Sequence, residues 1–206
     1  MIAVVDYGVN NLRSVVRALE AGGHPSTLTA DPDVVRKAEH VLVPGVGNFG
    51  QAVINLERSG LGAAIREVAS SGRALMGICL GQQLFFATSE EAPGVSGLGL
   101  LPGAVIRFGN DLLVPHVGWA EVKPTASGAT HPVLAPLFES GPQFFYHVHS
   151  YHPEDTGAAV VLATGDYGGA FATAVGRDNI LGVQFHPEKS QQAGIRLLSA
   201  FAEWRP

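Results

Sequence analysis

The chain carries a single cysteine, Cys79, at the centre of the stretch ALMGICLGQQLFF (residues 74–86). Gly77 and Gly81 flank it in the pattern G-x-C-x-G, which mirrors the tight strand-to-helix turn that exposes the nucleophilic serine of many hydrolases. The helix that follows would supply free N–H groups that favour a thiolate, and the N–H of Leu80 could donate to an oxyanion. When this stretch is read alone, a buried thiol with a purely structural role fits it equally well.

A candidate base and a carboxylate stand together in LGVQFHPEKS (residues 181–190). His186 follows a strand-like apolar run, and the carboxyl ends of parallel strands meet at one edge of a sheet, where Cys79 is also expected. Pro187 keeps the chain extended, which directs Glu188 to the same side as His186. Glu188 could then orient the imidazole and stabilise its protonated form. An isolated H-P-E sequence is more often a loop histidine beside a solvated glutamate.

A glycine-rich loop follows another strand-like run in VLVPGVGNFG (residues 41–50). Its backbone N–H groups could hold an oxyanion or a phosphate. The loop is not a P-loop, because no Gly-Lys-Ser/Thr follows, and it is not a dinucleotide fingerprint, because it does not open the first strand–helix–strand unit. An ordinary turn is the alternative interpretation.

Three further histidines, His147, His149 and His152, lie close together in the chain. In a strand, the first two would present their imidazoles on one face. A zinc hydrolase that uses these three residues with His186 is therefore an alternative hypothesis from a different class of enzyme.

Alternating strand-like and helix-like runs predict that residues 1–206 form one α/β domain with an open, mostly parallel sheet flanked by helices. In the first half the predicted strands are residues 2–8, 40–45 and 74–78, and the predicted helices are residues 10–23, about 50–70 and 80–88. The second half, rich in glycine and proline, predicts antiparallel strands that extend the sheet. These are residues 104–108, 120–124, 143–151, 158–164 and 170–175, followed by a buried strand at 181–185 and a helix at 192–204.

The composition narrows the class of protein. A formal net charge of −5, with scattered Lys and Arg, argues against a nucleic-acid surface. The sequence begins with a strand-like run rather than a signal peptide, and it has no apolar stretch long enough to span a membrane. A single cysteine allows no intrachain disulfide, so we expect a soluble, cytoplasmic protein.

Taken together, the cysteine turn, the H-P-E sequence and the glycine-rich loop resemble the class I (triad) glutamine amidotransferase family, over nearly the whole chain. The family fold is a flavodoxin-like mixed sheet with an antiparallel extension. Within this family, several short segments of the sequence resemble one branch in particular, the branch that supplies ammonia for histidine biosynthesis. The stretches that carry this likeness are DYGVNNLRSV, PGVGNFG, GICLGQQLFF, SEEAPG, PHVGW, HVHSYH and FHPEKSQQAG. A vitamin-synthesising branch of similar size would carry Gly-Gly-Glu-Ser near the loop, where this chain has PGVGNF.

The resemblance implies a role for each matching residue. Cys79 would attack the glutamine carboxamide, His186 would act as general base and acid, and Glu188 would orient His186. The oxyanion would bind the N–H of Leu80 and an N–H of the loop 45–47. The residues implied for the oxyanion loop and the substrate are Gly45, Val46 and Gly47, then Gln83 and Glu91, and the backbone of Ser150 and Tyr151. No cofactor or metal is implied.

The resemblance also implies a partner, because ammonia must pass on shielded from water and no residues remain for an acceptor domain. That partner would be a separate cyclase subunit with a (β/α)8-barrel fold, forming a heterodimer. The implied interface residues are Asn10, Asn11, Trp119 and Lys189, although Trp119 could equally lie in the core. PHVGW is usually followed by Asn in this branch, whereas here Ala120 follows, which could weaken docking. A catalytically dead regulatory domain is a further alternative, disfavoured because all three triad positions are filled.

Overall fold

The computed structural model describes residues 1–139, 141–154 and 156–206. Five parallel strands form one half of its main sheet. Four of them are buried along their whole length, as expected of strands covered on both faces. In spatial order the five are β2 (Ser26–Thr29), β1 (Ile2–Val5), β3 (His40–Gly45), β4 (Ala74–Cys79) and β11 (Ile180–Val183).

Four antiparallel strands continue the same sheet beyond β11. In spatial order they are β10 (Ala170–Arg177), β9 (Val161–Asp166), β6 (His116–Pro124) and β7 (Gln143–His149). Two more strands, β5 (Ala104–Arg107) and β8 (Tyr151–Glu154), pair antiparallel in a separate two-stranded sheet. The mixed sheet and its antiparallel extension confirm the predicted fold class.

Helices cover both faces of the parallel strands, and an apolar cluster fills the space beneath each layer. On one face lie α2 (Pro32–Lys37), α3 (Phe49–Ser59), α4 (Leu61–Ser70) and α5 (Leu80–Gln83). On the other face lie α1 (Leu12–Ala21), α6 (Ala135–Phe138) and α7 (Gln191–Glu203). Single turns of 3₁₀ helix occur at Gly128–Thr130 and Pro187–Lys189. Within the described ranges, every helix is too short or too polar to cross a bilayer.

Several predicted bounds were wrong. The helix expected over about 50–70 is two helices, because Gly60 adopts a left-handed φ of 74° that ends α3 and begins α4. The helix expected over 80–88 ends at Gln83. The strand expected over 143–151 is interrupted at Ser150, and its last residue begins β8. Both β2 and α2 were missed, since β2 is a polar edge strand and lacks an apolar run.

Candidate active site

Cys79 is the last residue of β4 and precedes the single turn of α5. Its backbone, with φ 53° and ψ −108°, has a conformation that residues with side chains rarely adopt. The flanking glycines permit this turn. A Cβ on Gly77 would lie 2.6 Å from the Gln82 nitrogen, and one on Gly81 would overlap the carbonyl oxygen of Val43. The G-x-C-x-G pattern therefore reflects a steric need, and α5 is too short to provide the extended helix dipole that we expected.

His186 and Glu188 form a buried pair just beyond β11. The distance between His186 Nδ1 and Glu188 Oε1 is 2.7 Å, and each side chain is only 1% exposed. The structure thus brings the two residues together, but not through an extended segment as expected. Pro187 opens the 3₁₀ turn Pro187–Lys189, and this turn directs the Glu188 carboxylate back to the imidazole.

The surroundings of His186 favour its charged form. Burial alone would lower the pKa of this imidazole, but the Cys79 sulfur and the Glu188 carboxylate outweigh burial and raise the pKa of His186 to about 10. The Nε2 atom of His186 has no hydrogen-bond partner among the described residues, so it is left to exchange a proton with the sulfur or a ligand. This electrostatic arrangement favours the protonated imidazolium form of His186.

A cavity with a volume of about 260 Å³ opens at Cys79. Eight predicted site residues line it, which are Val46, Gly47, Cys79, Leu80, Gln83, Glu91, Ser150 and Tyr151. Pro115, Val148 and His149 complete the wall. The structure therefore gathers most of the predicted nucleophile, oxyanion and substrate residues around one space.

Gly45 is not among the residues that line this cavity. It lies at the adjacent cleft with Asn10, Asn11, His186 and Glu188. A Cβ on Gly45 would overlap the hydroxyl of Tyr7, so the close approach of Tyr7 accounts for glycine at this position. A contact between Gly45 and the substrate therefore stays a prediction, and Gly45 lies beside the cavity wall rather than in it.

Two residues that lie at the site, Gln184 and Tyr7, were not predicted from the sequence. Gln184 Nε2 lies 3.6 Å from the Cys79 sulfur, and its Oε1 accepts a hydrogen bond of 3.1 Å from Gln83. Tyr7 is buried, and burial and the nearby Cys79 raise the pKa of its hydroxyl. A glutamine within the apolar strand LGVQF was the available signal for Gln184, because buried polar residues are informative. The sequence carries no comparable signal for Tyr7.

The two polar side chains predicted to bind the substrate, Gln83 and Glu91, each make specific hydrogen bonds within the chain. Gln83 donates from Nε2 to Gln184 and to the carbonyl of Tyr151, which leaves its amide oxygen for a ligand. Glu91 Oε2 accepts a hydrogen bond of 2.7 Å from the N–H of Phe49, the first residue of α3. This bond fixes the Glu91 carboxylate at the cavity wall and ties it to the helix that follows the glycine-rich loop.

The four residues implied for a partner interface differ in their contacts. Trp119 is 48% exposed, so the alternative of a core position is wrong. It lies opposite Tyr146 in the β6–β7 pair, and the Lys189 ammonium sits 5.5 Å from the centre of the Tyr146 ring. Asn10 is exposed, whereas the side chain of Asn11 is engaged within the chain.

The histidine cluster packs as an aromatic wall. The ring centres of His147 and His149 lie 5.4 Å apart, and the ring of His152 packs at a tilt against Phe108, with their centres 4.5 Å apart. Burial lowers the pKa of His147 to about 3. No three potential ligands among the described residues are arranged to hold a metal ion, so the geometry does not favour the zinc alternative.

Comparison with known proteins identifies the class. The family model for glutamine amidotransferase class-I matches residues 3–203. The chain belongs to the class I glutamine amidotransferase family, which confirms the resemblance predicted from the motifs.

Within this family the chain is similar to a particular subunit. It is 48% identical to the imidazole glycerol phosphate synthase subunit HisH of Moorella thermoacetica, over 98% of this chain and 94% of that protein. It is 44% identical to the subunit of the same name from Chromobacterium violaceum, over 98% and 97%.

Solved structures support the fold alone. A crystal structure of a glutamine amidotransferase superposes with a TM-score of 0.76 at 19% identity, covering 99% of this chain and 100% of that one. The PurLQS structure from Thermotoga maritima gives a TM-score of 0.76 at 19% identity, covering 97% and 96%.

Proposed function

We propose that the chain is the glutaminase subunit of an imidazole glycerol phosphate synthase, and that it releases ammonia from glutamine for a partner subunit. The observation that carries the catalytic part is the strained Cys79 turn at the same rim of the sheet as the buried His186–Glu188 pair. Similarity to the HisH subunits supports the choice among the amidotransferases. A reactive thiol and a biosynthetic role support a cytoplasmic location for the enzyme.

The reaction proceeds through a thioester. The Cys79 thiolate attacks the carboxamide carbon of glutamine, and the His186 imidazolium gives its proton to the nitrogen, which leaves as ammonia. The neutral imidazole then takes a proton from water, whose oxygen attacks the thioester carbon and releases glutamate. One glutamine and one water become glutamate and ammonia, with no redox change, so the chemistry needs no cofactor.

The oxyanion of each tetrahedral intermediate accepts from the N–H of Leu80 and, after the loop rearranges, from the N–H of Val46 beside Gly47. Removing one such donor typically costs about 100- to 1000-fold in rate. The mobile donor would therefore act as a switch that keeps the isolated chain slow.

Different residues of the cavity wall bind different groups of the glutamine substrate. The Glu91 carboxylate binds the substrate ammonium, and the backbone of Ser150 and Tyr151 binds its carboxylate. Gln83 accepts a hydrogen bond from the substrate through its free amide oxygen. Support for these roles comes from the position of all four residues around the cavity that contains Cys79.

The partner docks on the exposed face of the β6–β7 pair. This face presents Val117, Trp119 and Phe144, each about half exposed, and adjoins Lys189 over Tyr146. Half-exposed aromatic residues are frequent binding hot spots. We assign the partner as a (β/α)8-barrel cyclase that uses ammonia on a phosphorylated ribulosyl aminoimidazole carboxamide nucleotide. Ala120 next to Trp119 would weaken, but not prevent, this docking.

We also infer that residues 1–206 act as one domain, because the main sheet runs without a break from the first half of the chain into the second. Another class I amidotransferase subunit is the competing assignment, and it would share the triad but require a different acceptor subunit.

The decisive experiment measures glutamate release by the chain alone, with the cyclase subunit, and with the cyclase plus its nucleotide ligand. Low basal activity and stimulation by both additions are expected. Failure of the cyclase to bind or stimulate would assign the chain to another amidotransferase.

A matched variant tests the chemistry. Cys79→Ala should abolish glutamine hydrolysis in the complex while ammonium salts still support the cyclase reaction. Glutamine hydrolysis by Cys79→Ala would overturn the assignment of the nucleophile.

A further inference from the structure

The loop before α1 reaches across the fold to the triad. Asn11 Nδ2 donates a 2.7 Å hydrogen bond to Glu188 Oε1, although 177 positions separate the two residues in the chain. The same oxygen lies 2.7 Å from His186 Nδ1. Glu188 Oε1 therefore has two partners, one being the imidazole and the other an amide held by a separate element.

The second oxygen of this carboxylate cannot hold it in place. Glu188 Oε2 is buried and has no hydrogen-bond partner in the described part of the chain. The side chain is 1% exposed, so solvent offers little compensation. Asn11 is thus the contact, apart from His186 itself, that fixes the rotation of the Glu188 carboxylate.

The backbone of Asn11 indicates that its side chain serves this contact rather than its helix. Asn11 occupies the position before α1, where an asparagine side chain usually accepts from the first free N–H groups. Here it makes no such bond, and its backbone is left-handed, with φ 70° and ψ 9°. Asparagine tolerates this conformation better than most residues, but it still carries a cost. The Asn11 side chain therefore does not cap α1 and instead donates to Glu188.

We propose that Asn11 is a positioning residue for the catalytic reaction, which holds Glu188 so that its Oε1 orients His186 and stabilises the imidazolium. This inference rests on the proposed Cys79–His186–Glu188 triad. Without the amide, the carboxylate is free to turn away from the imidazole, and the proton returns from imidazolium to sulfur. The thiolate population at neutral pH then falls.

Two substitutions separate this role from others. Asn11→Gly removes the amide but accepts the left-handed backbone without strain. Asn11→Asp keeps the size and the backbone preference but replaces the donor with a carboxylate that faces Glu188. Asp178→Gly is the matched control, because Asp178 also has a positive φ, 54°, and lies in the exposed turn between β10 and β11 at the opposite rim.

The first measurement is steady-state glutaminase kinetics in the complex with the cyclase and its nucleotide. Asn11→Gly should lower kcat about 10- to 100-fold, the range expected for one hydrogen bond to a charged group, with KM within about 2-fold. Asn11→Asp should lower kcat further, whereas Asp178→Gly should match the unsubstituted protein.

The second measurement is the pH dependence of Cys79 alkylation by iodoacetamide in the chain without glutamine. Asn11→Gly should slow alkylation at pH 7 and move the midpoint of its pH profile to more alkaline values. An unchanged profile, with only the affinity for the cyclase reduced, would make Asn11 a docking residue and overturn the proposal. Because alkylation does not involve glutamine, this outcome is distinct from failure of the proposed function, which Cys79→Ala tests.

Discussion

The backbone strain at Cys79 predicts an unusual order of stability among variants that lack the thiol. Cys79→Gly should be more stable than Cys79→Ala, although glycine normally weakens a strand end. Both variants remove the sulfur and its interaction with His186, so their difference isolates the backbone. Alanine must keep the φ of 53° and ψ of −108° found at Cys79, whereas glycine reaches this region freely.

Three contributions set the difference in the free energy of unfolding between the two variants. The first favours Cys79→Gly, and the other two favour Cys79→Ala. A residue with a side chain in so sparsely populated a region costs about 3 kcal/mol, at the upper end of the usual range. Glycine loses about 0.5–1 kcal/mol through its extra freedom in the unfolded chain. Loss of one buried methyl group costs about 0.8 kcal/mol more, since Cys79 is buried. The net advantage of Cys79→Gly is about 1 kcal/mol, or roughly 2–4 °C in Tm for a chain of this length.

The assay is thermal unfolding of both variants, followed by circular dichroism under reducing conditions. Ala74→Gly is the matched control, because Ala74 is buried at the start of the same strand with an ordinary backbone conformation. This control should lower Tm. If Cys79→Gly melts below Cys79→Ala, by an amount similar to the effect of Ala74→Gly, the strained turn is not a feature of the molecule in solution.

Three other predictions concern the surroundings of the site. Because the pKa of His147 is lowered from 6.5 to about 3, its contribution to stability is complete above pH 6.5 and is lost as the pH falls toward 3. His147→Phe should therefore lose less stability than the unsubstituted protein between pH 6.5 and 3 in urea unfolding, and an identical pH dependence would contradict this. Trp119→Ala should raise the Kd for the cyclase at least about 10-fold by calorimetry, and an unchanged Kd would remove β6–β7 from the interface. Gly81→Ala should cost about 3 kcal/mol in urea unfolding because its Cβ overlaps the Val43 carbonyl. Gly62→Ala, whose Cβ would meet only the flexible ends of the Glu57 and Arg66 side chains, is its control and should cost little.

Local patterns were sufficient for the buried strands. The apolar runs that became β1, β3, β4 and β11 are continuous, as strands covered on both faces must be. The edge strand β2 gave no such pattern, because STLT is polar and only partly buried. The break at Gly60 was missed for a different reason. Apolar residues continue on both sides of it at helical spacing, so periodicity alone gives no sign that the helix axis changes there.

The site was predicted to the extent that its residues follow strand ends. Cys79 and His186 each lie at or just beyond such an end, and parallel topology brings those ends to one rim. Contacts between distant side chains carry no local signal. The bond from Asn11 to Glu188 and the packing of Tyr7 against Gly45 depend on the assembled fold. The family resemblance implied a place for Asn11 at the partner interface, and it gave no sign that the Asn11 amide donates to Glu188 within the chain.

A strained backbone and a buried nitrogen without a hydrogen-bond partner occur together at this rim of the sheet. Neither feature alone identifies a functional site. Asp178 has a positive φ but lies in an exposed turn, so backbone strain by itself does not mark a functional site. His147 has a buried nitrogen without a partner in the described ranges, yet its backbone is ordinary and its ring packs in an aromatic wall. Around Cys79, a strained backbone adjoins the unpaired Nε2 of His186 in one small volume. Both features cost stability, and natural proteins tolerate such costs together chiefly where function requires them. These physical criteria, which do not depend on any relative, support the proposal that the thiol is reactive.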